Sequence, residues 1–268
     1  MAYPYKKVFE AVERALFDMR SPDVEAKVQR EKLDMFKNYA TRKLSDDDYF
    51  AIMVKVVFYS GFRAETVKAK EAVIFGHFPD LDTVAGHGKK DVKRVLLDTA
   101  MIRNERKIQA CVDNARVMQA LIQEHGSFRS FLLSFGQLKA LEDVLLLKET
   151  LEAKFGYLGG VTVYHFMTDV GLPVLKPDRV ITRMFLRLGL IEDKRQLLKT
   201  VLHGQKFAAA TGLPIRYIDI VFVLYGQASA TAYGITQGVC LDSPRCSACS
   251  LRKVHCRYPL DQASATAP

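Results

Sequence analysis

Between Pro79 and Pro173 the sequence has no proline. A gap of that length argues against a loop-rich segment, and helices, whose interiors proline breaks, tolerate it most easily. Alternating apolar–polar runs of the strand type are also scarce, which argues against a sheet. Long apolar runs are lacking too. The longest uncharged stretch, Ile220 to Leu241, is broken up by Gly, Gln, Ser and Thr after Tyr225, whereas a membrane span needs ~18 predominantly apolar residues. The opening residues lead into an amphipathic segment with Glu10 and Glu13, not an uncharged signal core. The expected location is therefore the cytoplasm, beside the nucleoid if the source is bacterial. There are five cysteines. Cys111 stands alone in a helical pattern and reads as a small buried hydrophobe. Cys240, Cys246, Cys249 and Cys256 crowd together near the C-terminus, which suggests a metal or cluster site before disulfides.

The 268 residues are 49% hydrophobic and 26% charged, enough apolar content for a folded core, so wholesale disorder is excluded. Lys and Arg outnumber Asp and Glu by 39 to 30, a net charge of +9. That excess favours a polyanionic partner, nucleic acid or an acidic membrane surface.

Apolar residues recur at helical spacing. Val92, Val95, Leu96 and Thr99 share one face, and Ile108, Val112, Ala115 and Met118 continue the habit. Ser45 followed by Asp46, Asp47 and Asp48 predicts an N-cap and an acidic first turn for a helix through Phe50, Met53, Val54 and Val57. Further helices are expected over 63–75, 89–97, 104–124, 128–135, 138–154, 161–170, 179–188, 194–211 and 215–232. The fold class is all-α. The tail Ala263–Pro268 reads as frayed.

Helix, glycine-bearing turn, helix is the arrangement at 138–154, Phe155–Gly160 and 161–170. Such a turn presents backbone N–H groups at the start of its second helix, and glycine lets a phosphate approach closely. An αα-hairpin whose glycines only make a corner has the same pattern.

The stretch from Gly171-Leu-Pro-Val through Asp178 and Arg183 to Arg187-Leu-Gly-Leu190 resembles the segment after the hairpin in endonuclease III and its relatives, the helix-hairpin-helix DNA glycosylase superfamily. The four clustered cysteines resemble the iron–sulfur loop of the same enzymes, with the outer two intervals exchanged. The N-terminal half is similar to the 3-methyladenine DNA glycosylase I family, most specifically at Phe78–Ala85, Asp91–Leu96, Ile102–Ala110 with Asn114-Ala-Arg116, and Thr162–Met167.

The resemblance implies a two-lobed helix-hairpin-helix glycosylase fold. A helical barrel would span 45–172, with the hairpin at about 138–171. The second lobe would be built from 1–44 and 173–268, carrying the four-cysteine cluster loop (240–256). It implies cleavage of the N-glycosidic bond of a damaged base flipped out of duplex DNA, an alkylated purine such as 3-methyladenine foremost. A deaminated or oxidised base is the alternative, and a catalytically silent lesion-binding protein a second one. Asp178 matches the catalytic aspartate and also reads as the N-cap of the next helix. Bifunctional relatives carry a lysine on the second hairpin helix; none lies between Phe155 and Leu175, which implies a monofunctional enzyme. Phe58, Tyr59, Phe62, Tyr164 and His165 are candidates for the base pocket. Gly156, Gly159, Gly160, Lys176 and Arg179 are candidates for phosphate contacts. Lys89, Lys90, Lys93, Arg94, Arg103, Arg106 and Lys107 form a basic track, and Arg183, Arg187, Arg252, Lys253 and Arg257 extend it. Cys240, Cys246, Cys249 and Cys256 would hold a [4Fe–4S] cluster, with a tetrahedral zinc as the chemical alternative. The implied partner is double-stranded DNA bound by a monomer, without a membrane.

Overall fold

Five helix starts in this chain carry a side-chain cap among the described residues. Ser45 Oγ accepts the N–H of Asp48 at 3.1 Å while the Asp48 carboxylate accepts the N–H of Ser45 at 2.8 Å, closing a capping box. Asp80, Asn104, Ser127 and Asp178 cap other helices in the same sense. The structure is a computed structural model describing residues 2–138, 140–252 and 255–258. The tail Ala263–Pro268 and Lys253 of the cysteine loop lie outside the described residues.

Helices α1 (Tyr5–Asp18) and α2 (Ala26–Asp34) open the chain. They are followed by α3 (Asp46–Tyr59), α4 (Ala64–Lys68), α5 (Glu71–His77), α6 (Leu81–Ala85), α7 (Lys89–Leu97), α8 (Glu105–His125), α9 (Phe128–Leu133), α10 (Leu141–Lys154) and α11 (Val161–Asp169). The last three are α12 (Arg179–Arg187), α13 (Leu197–Thr211) and α14 (Ile215–Gly226). Among the described residues the one extended pairing is a single antiparallel bridge, Ala230 with Ile235. No single helix among them is long and apolar enough to cross a membrane.

Contacts divide the chain into two units, one of Arg42–Leu172 and the other of the residues before and after it. In Arg42–Leu172 the long helix α8 packs against α3, α6, α7 and α9. Its buried face carries Ile108, Cys111, Val112, Ala115 and Met118. Phe128 packs with Tyr49, Phe131, Phe155 and Phe166, ring centroids 5.3–6.2 Å apart, and ties both hairpin helices to this core. In the other unit α14 packs against α1, α12 and α13 around Phe9, Phe185, Phe207 and Phe222.

Three helix predictions need correction. The segment 63–75 is two short helices, α4 and α5, broken at Ala69–Lys70 where no Gly or Pro marks the break. The helix expected from Leu138 begins at Leu141, because Gln137 and Leu138 adopt positive φ. Helix α14 stops at Gly226, six residues earlier than expected. There the Tyr225 carbonyl accepts the N–H groups of Val239 and Cys240 at 2.8 and 3.1 Å. The cysteine loop thus folds back onto the end of α14, a long-range event with no local signal.

Candidate active site and DNA-binding hairpin

The turn between α10 and α11 is seated by Phe155 and Leu158, both buried, and exposes Gly156, Gly159 and Gly160. Gly160 has φ 58 and ψ −114, a conformation open essentially to glycine alone. Gly156 is constrained differently. Its N–H donates to Asn114 Oδ1 at 2.7 Å, and its carbonyl accepts Asn114 Nδ2 at 3.0 Å. A side chain there would meet Ala110 Cβ at 3.2 Å. Gly156 therefore serves the attachment of the turn to α8, and its N–H is not available to a phosphate. The N–H of Gly159 donates to Thr162 Oγ1 at 3.0 Å and that of Gly160 to Glu152 Oε1 at 2.9 Å. Glu152 Oε2 in turn accepts Lys148 Nζ at 2.6 Å. A carboxylate thus occupies the anion position at the start of α11. Neither Glu152 nor its lysine carries a motif that the sequence would reveal.

The five aromatic candidates separate by burial. Phe58 is fully buried against Phe78, and Tyr164 is 3% exposed. Both belong to the core, which removes them from the surfaces a base could stack on. Tyr59 and His165 are half-buried and meet edge-on at 6.4 Å, and Phe62 is exposed. The Tyr59 hydroxyl donates to Glu71 Oε1 at 2.8 Å. Burial, Glu71 and Asp169 all push its phenol upward. His165 Nε2 lies 3.3 Å from the Asp169 carboxylate.

Lys107, expected on the basic track, is 3% exposed. Its ammonium donates to the carbonyls of Val57 and Ser60 at the end of α3, the latter at 2.7 Å. It also lies 4.4 Å from the Tyr157 ring centroid and 5.6 Å from that of Phe62. Burial lowers its pKa to about 8. A lysine so placed caps α3 and braces the hairpin, and it does not reach DNA.

Asp178 caps α12. Its Oδ1 accepts the N–H groups of Val180 and Ile181 at 2.8 and 3.0 Å. Its Oδ2 has no hydrogen bond among the described residues, and the residue is partly exposed. One oxygen therefore orients the carboxylate and the other is open for chemistry. Lys176 is half-buried and Arg179 exposed, and neither side chain makes an ion pair among the described residues.

Arg183 and Arg187, also expected to meet phosphate, are 8% and 9% exposed. Arg183 donates to the carbonyls of Cys240 and Gly226 and pairs with Asp242 at 2.8 Å. Arg187 donates to Cys240 Sγ at 3.2 Å and to the carbonyls of Leu241 and Asp242. These arginines seat the cysteine loop. The Tyr225 hydroxyl donates to Cys249 Sγ at 3.4 Å. Burial raises the Cys240 thiol while the Arg187 hydrogen bond opposes the shift, and burial together with the other three cysteines raises Cys256. Among the described residues no three His, Cys, Asp or Glu side chains are grouped to hold a metal ion. Two of the four sulfurs, those of Cys240 and Cys249, each accept a hydrogen bond that orients them within the loop.

The family model described as methyladenine glycosylase matches residues 37–176. Among solved structures, one of 3-methyladenine DNA glycosylase I is 23% identical, covering 57% of this chain and 92% of its own, with TM-score 0.44. The Staphylococcus aureus 3-methyladenine DNA glycosylase I is 21% identical over 52% of this chain and 84% of its own, also at 0.44. The 8-oxoguanine DNA glycosylase of Thermotoga maritima is 17% identical over 81% of this chain and 95% of its own, with TM-score 0.51. That last likeness extends the shared fold beyond the stretch that the family model covers.

Proposed function

Because the chain belongs to the methyladenine glycosylase family, and so is a DNA N-glycosylase of base-excision repair acting on alkylated bases, we propose that Asp178 is its reaction carboxylate and that it stops at the abasic site. The carrying observation is the division of labour at Asp178: Oδ1 is held by two helix N–H groups while Oδ2 stays open. As the bond from C1′ to the base nitrogen breaks, positive charge grows on the sugar. Oδ2 stabilises that charge and takes a proton from the water that attacks C1′. A purine methylated on a ring nitrogen is already cationic in the nucleoside, so it takes the bonding electron pair and leaves as the neutral base. The other product is an abasic deoxyribose, and the proton taken from water passes from Asp178 to solvent. With no lysine from Phe155 through Leu175, no amine on the second hairpin helix forms a Schiff base and nicks the strand.

Tyr59, Phe62 and His165 are the candidates for contact with the extruded base, since they keep exposed surface. Lys176 and Arg179 are candidates for phosphate contacts; the exposed Gly159 and Gly160 are candidates as well, through close approach of the backbone, their N–H groups being held by Thr162 and Glu152. Cys240, Cys246, Cys249 and Cys256 are the candidate ligands of a [4Fe–4S] cluster that orders the loop; this reading is supported by the all-sulfur donor set and the Arg187 and Tyr225 hydrogen bonds.

The test is a panel of duplexes each holding one 3-methyladenine, 7-methylguanine, hypoxanthine, uracil or oxidised pyrimidine. The proposal expects release of the methylated purines, with strands that break only after alkali. Strand nicking without alkali contradicts the monofunctional reading, and release of the other bases alone contradicts the alkylated substrate.

A further inference from the structure

Asp219 is the one buried carboxylate among the described residues, 2% exposed in the middle of α14. Its Oδ1 accepts the backbone N–H of Lys176 at 3.0 Å, and its Oδ2 pairs with Arg216. The Arg216 guanidinium lies over Phe36 and Tyr39, 5.2 and 5.1 Å from their ring centroids, so the carboxylate is braced from behind. An apolar side chain would fill this place without the cost of desolvating a charge. That cost is visible: burial pushes the Asp219 carboxyl up to about 6, against the pull of Arg216 and with a further push from the charge of Asp178.

What Asp219 holds is the approach to Asp178. The backbone of Lys176 is fixed on both sides of its Cα, its N–H by Asp219 and its carbonyl by the N–H of Asp178 at 2.8 Å. Pro177 stands between them and fixes the backbone dihedral of the turn. A displacement of the Lys176 peptide is therefore carried directly to the carboxylate two residues on.

The geometry points to Asp219 as a positioning residue for base excision: through the Lys176 peptide it sets where the open oxygen of Asp178 stands. This rests on Asp178 being the reaction carboxylate, and the two claims fail separately. Asp219→Ala removes the acceptor for the Lys176 N–H, whereas Asp219→Asn keeps an oxygen in its place. Each variant is compared with the wild type in single-turnover release of 3-methyladenine, in affinity for the same duplex and in thermal unfolding. An error near 1 Å at a reacting group costs on the order of 100-fold in rate. The expected results are a loss of about 100-fold for Asp219→Ala, affinity within about twofold, and recovery to within about fivefold of wild type for Asp219→Asn. Should Asp219→Ala fail to fold, Pro177→Gly decides, because it loosens the same turn and leaves the Asp219–Arg216 pair intact; a rate loss of about tenfold with unchanged affinity is expected. A folded Asp219→Ala within threefold of wild type, an Asp219→Asn as impaired as Asp219→Ala, or an unchanged rate in Pro177→Gly when that variant decides would each overturn the inference. Full activity in Asp178→Asn would instead remove the reading beneath it.

Discussion

Asn114 and Gly156 exchange hydrogen bonds across 42 residues of chain, amide to carbonyl at 3.0 Å and N–H to amide oxygen at 2.7 Å. A side chain on the core helix α8 thereby fixes the first glycine of the hairpin turn. Asn114→Ala leaves both Gly156 groups to water and empties a buried polar site. We expect a loss of about 1–3 kcal/mol in urea unfolding, with duplex affinity falling more than the stability change alone explains. Unchanged affinity in a destabilised variant would mean that the hairpin keeps its shape without this clasp.

Glu152 puts a negative charge on the face of the hairpin that the proposed function brings to a phosphate. Glu152→Gln keeps an acceptor for the Gly160 N–H and frees Lys148 from its ion pair. Affinity for undamaged duplex should rise by roughly fivefold at low salt, with a steeper fall as salt increases, because one more cation is released to neutralise the backbone. Weaker binding would show that the carboxylate is needed to shape the turn and does not compete with DNA.

Lys107 predicts a specific dependence of stability on pH. Its pKa in the folded protein is about 8 against 10.5 for the free side chain, so below pH 8 the folded state carries the full desolvation cost of the charge. Between about pH 8 and 10.5 the folded lysine is neutral while the unfolded one stays protonated, and stability from this group rises. Measured against Lys107→Met, wild type should gain up to about 3 kcal/mol over that range. A difference that is flat with pH would show that the Val57 and Ser60 carbonyls offset the burial.

These same residues show what a sequence can and cannot reveal. Caps at Ser45 and Asp178 were legible because a cap is a local contest between side chain and backbone, decided within four residues. Burial of charge was not. Lys107, Arg183 and Arg187 look like any basic residues on a DNA track. Only the fold shows that the first meets carbonyls 47 and 50 residues away and the others a loop more than 50 residues on. Phe58 and Tyr59 are adjacent, yet one is core and the other rim, because helical rotation turns neighbours about 100° apart.

Arg187 anchors the cysteine loop by three hydrogen bonds, one of them to Cys240 Sγ. Arg187→Met keeps much of the volume and removes all three. If the loop holds a [4Fe–4S] cluster, iron content and visible absorbance should fall in this variant, and Cys249→Ser should abolish both. A colourless wild type containing zinc would contradict the cluster.

The most direct measurement is the single-turnover release of 3-methyladenine from a defined duplex by Asp178→Asn. Asparagine can still accept the Val180 and Ile181 N–H groups through its oxygen, so the cap and the fold persist while the charge is lost. The account predicts normal duplex affinity and a rate lower by about 100-fold or more. A rate within a few-fold of wild type would place the reaction carboxylate elsewhere in the molecule.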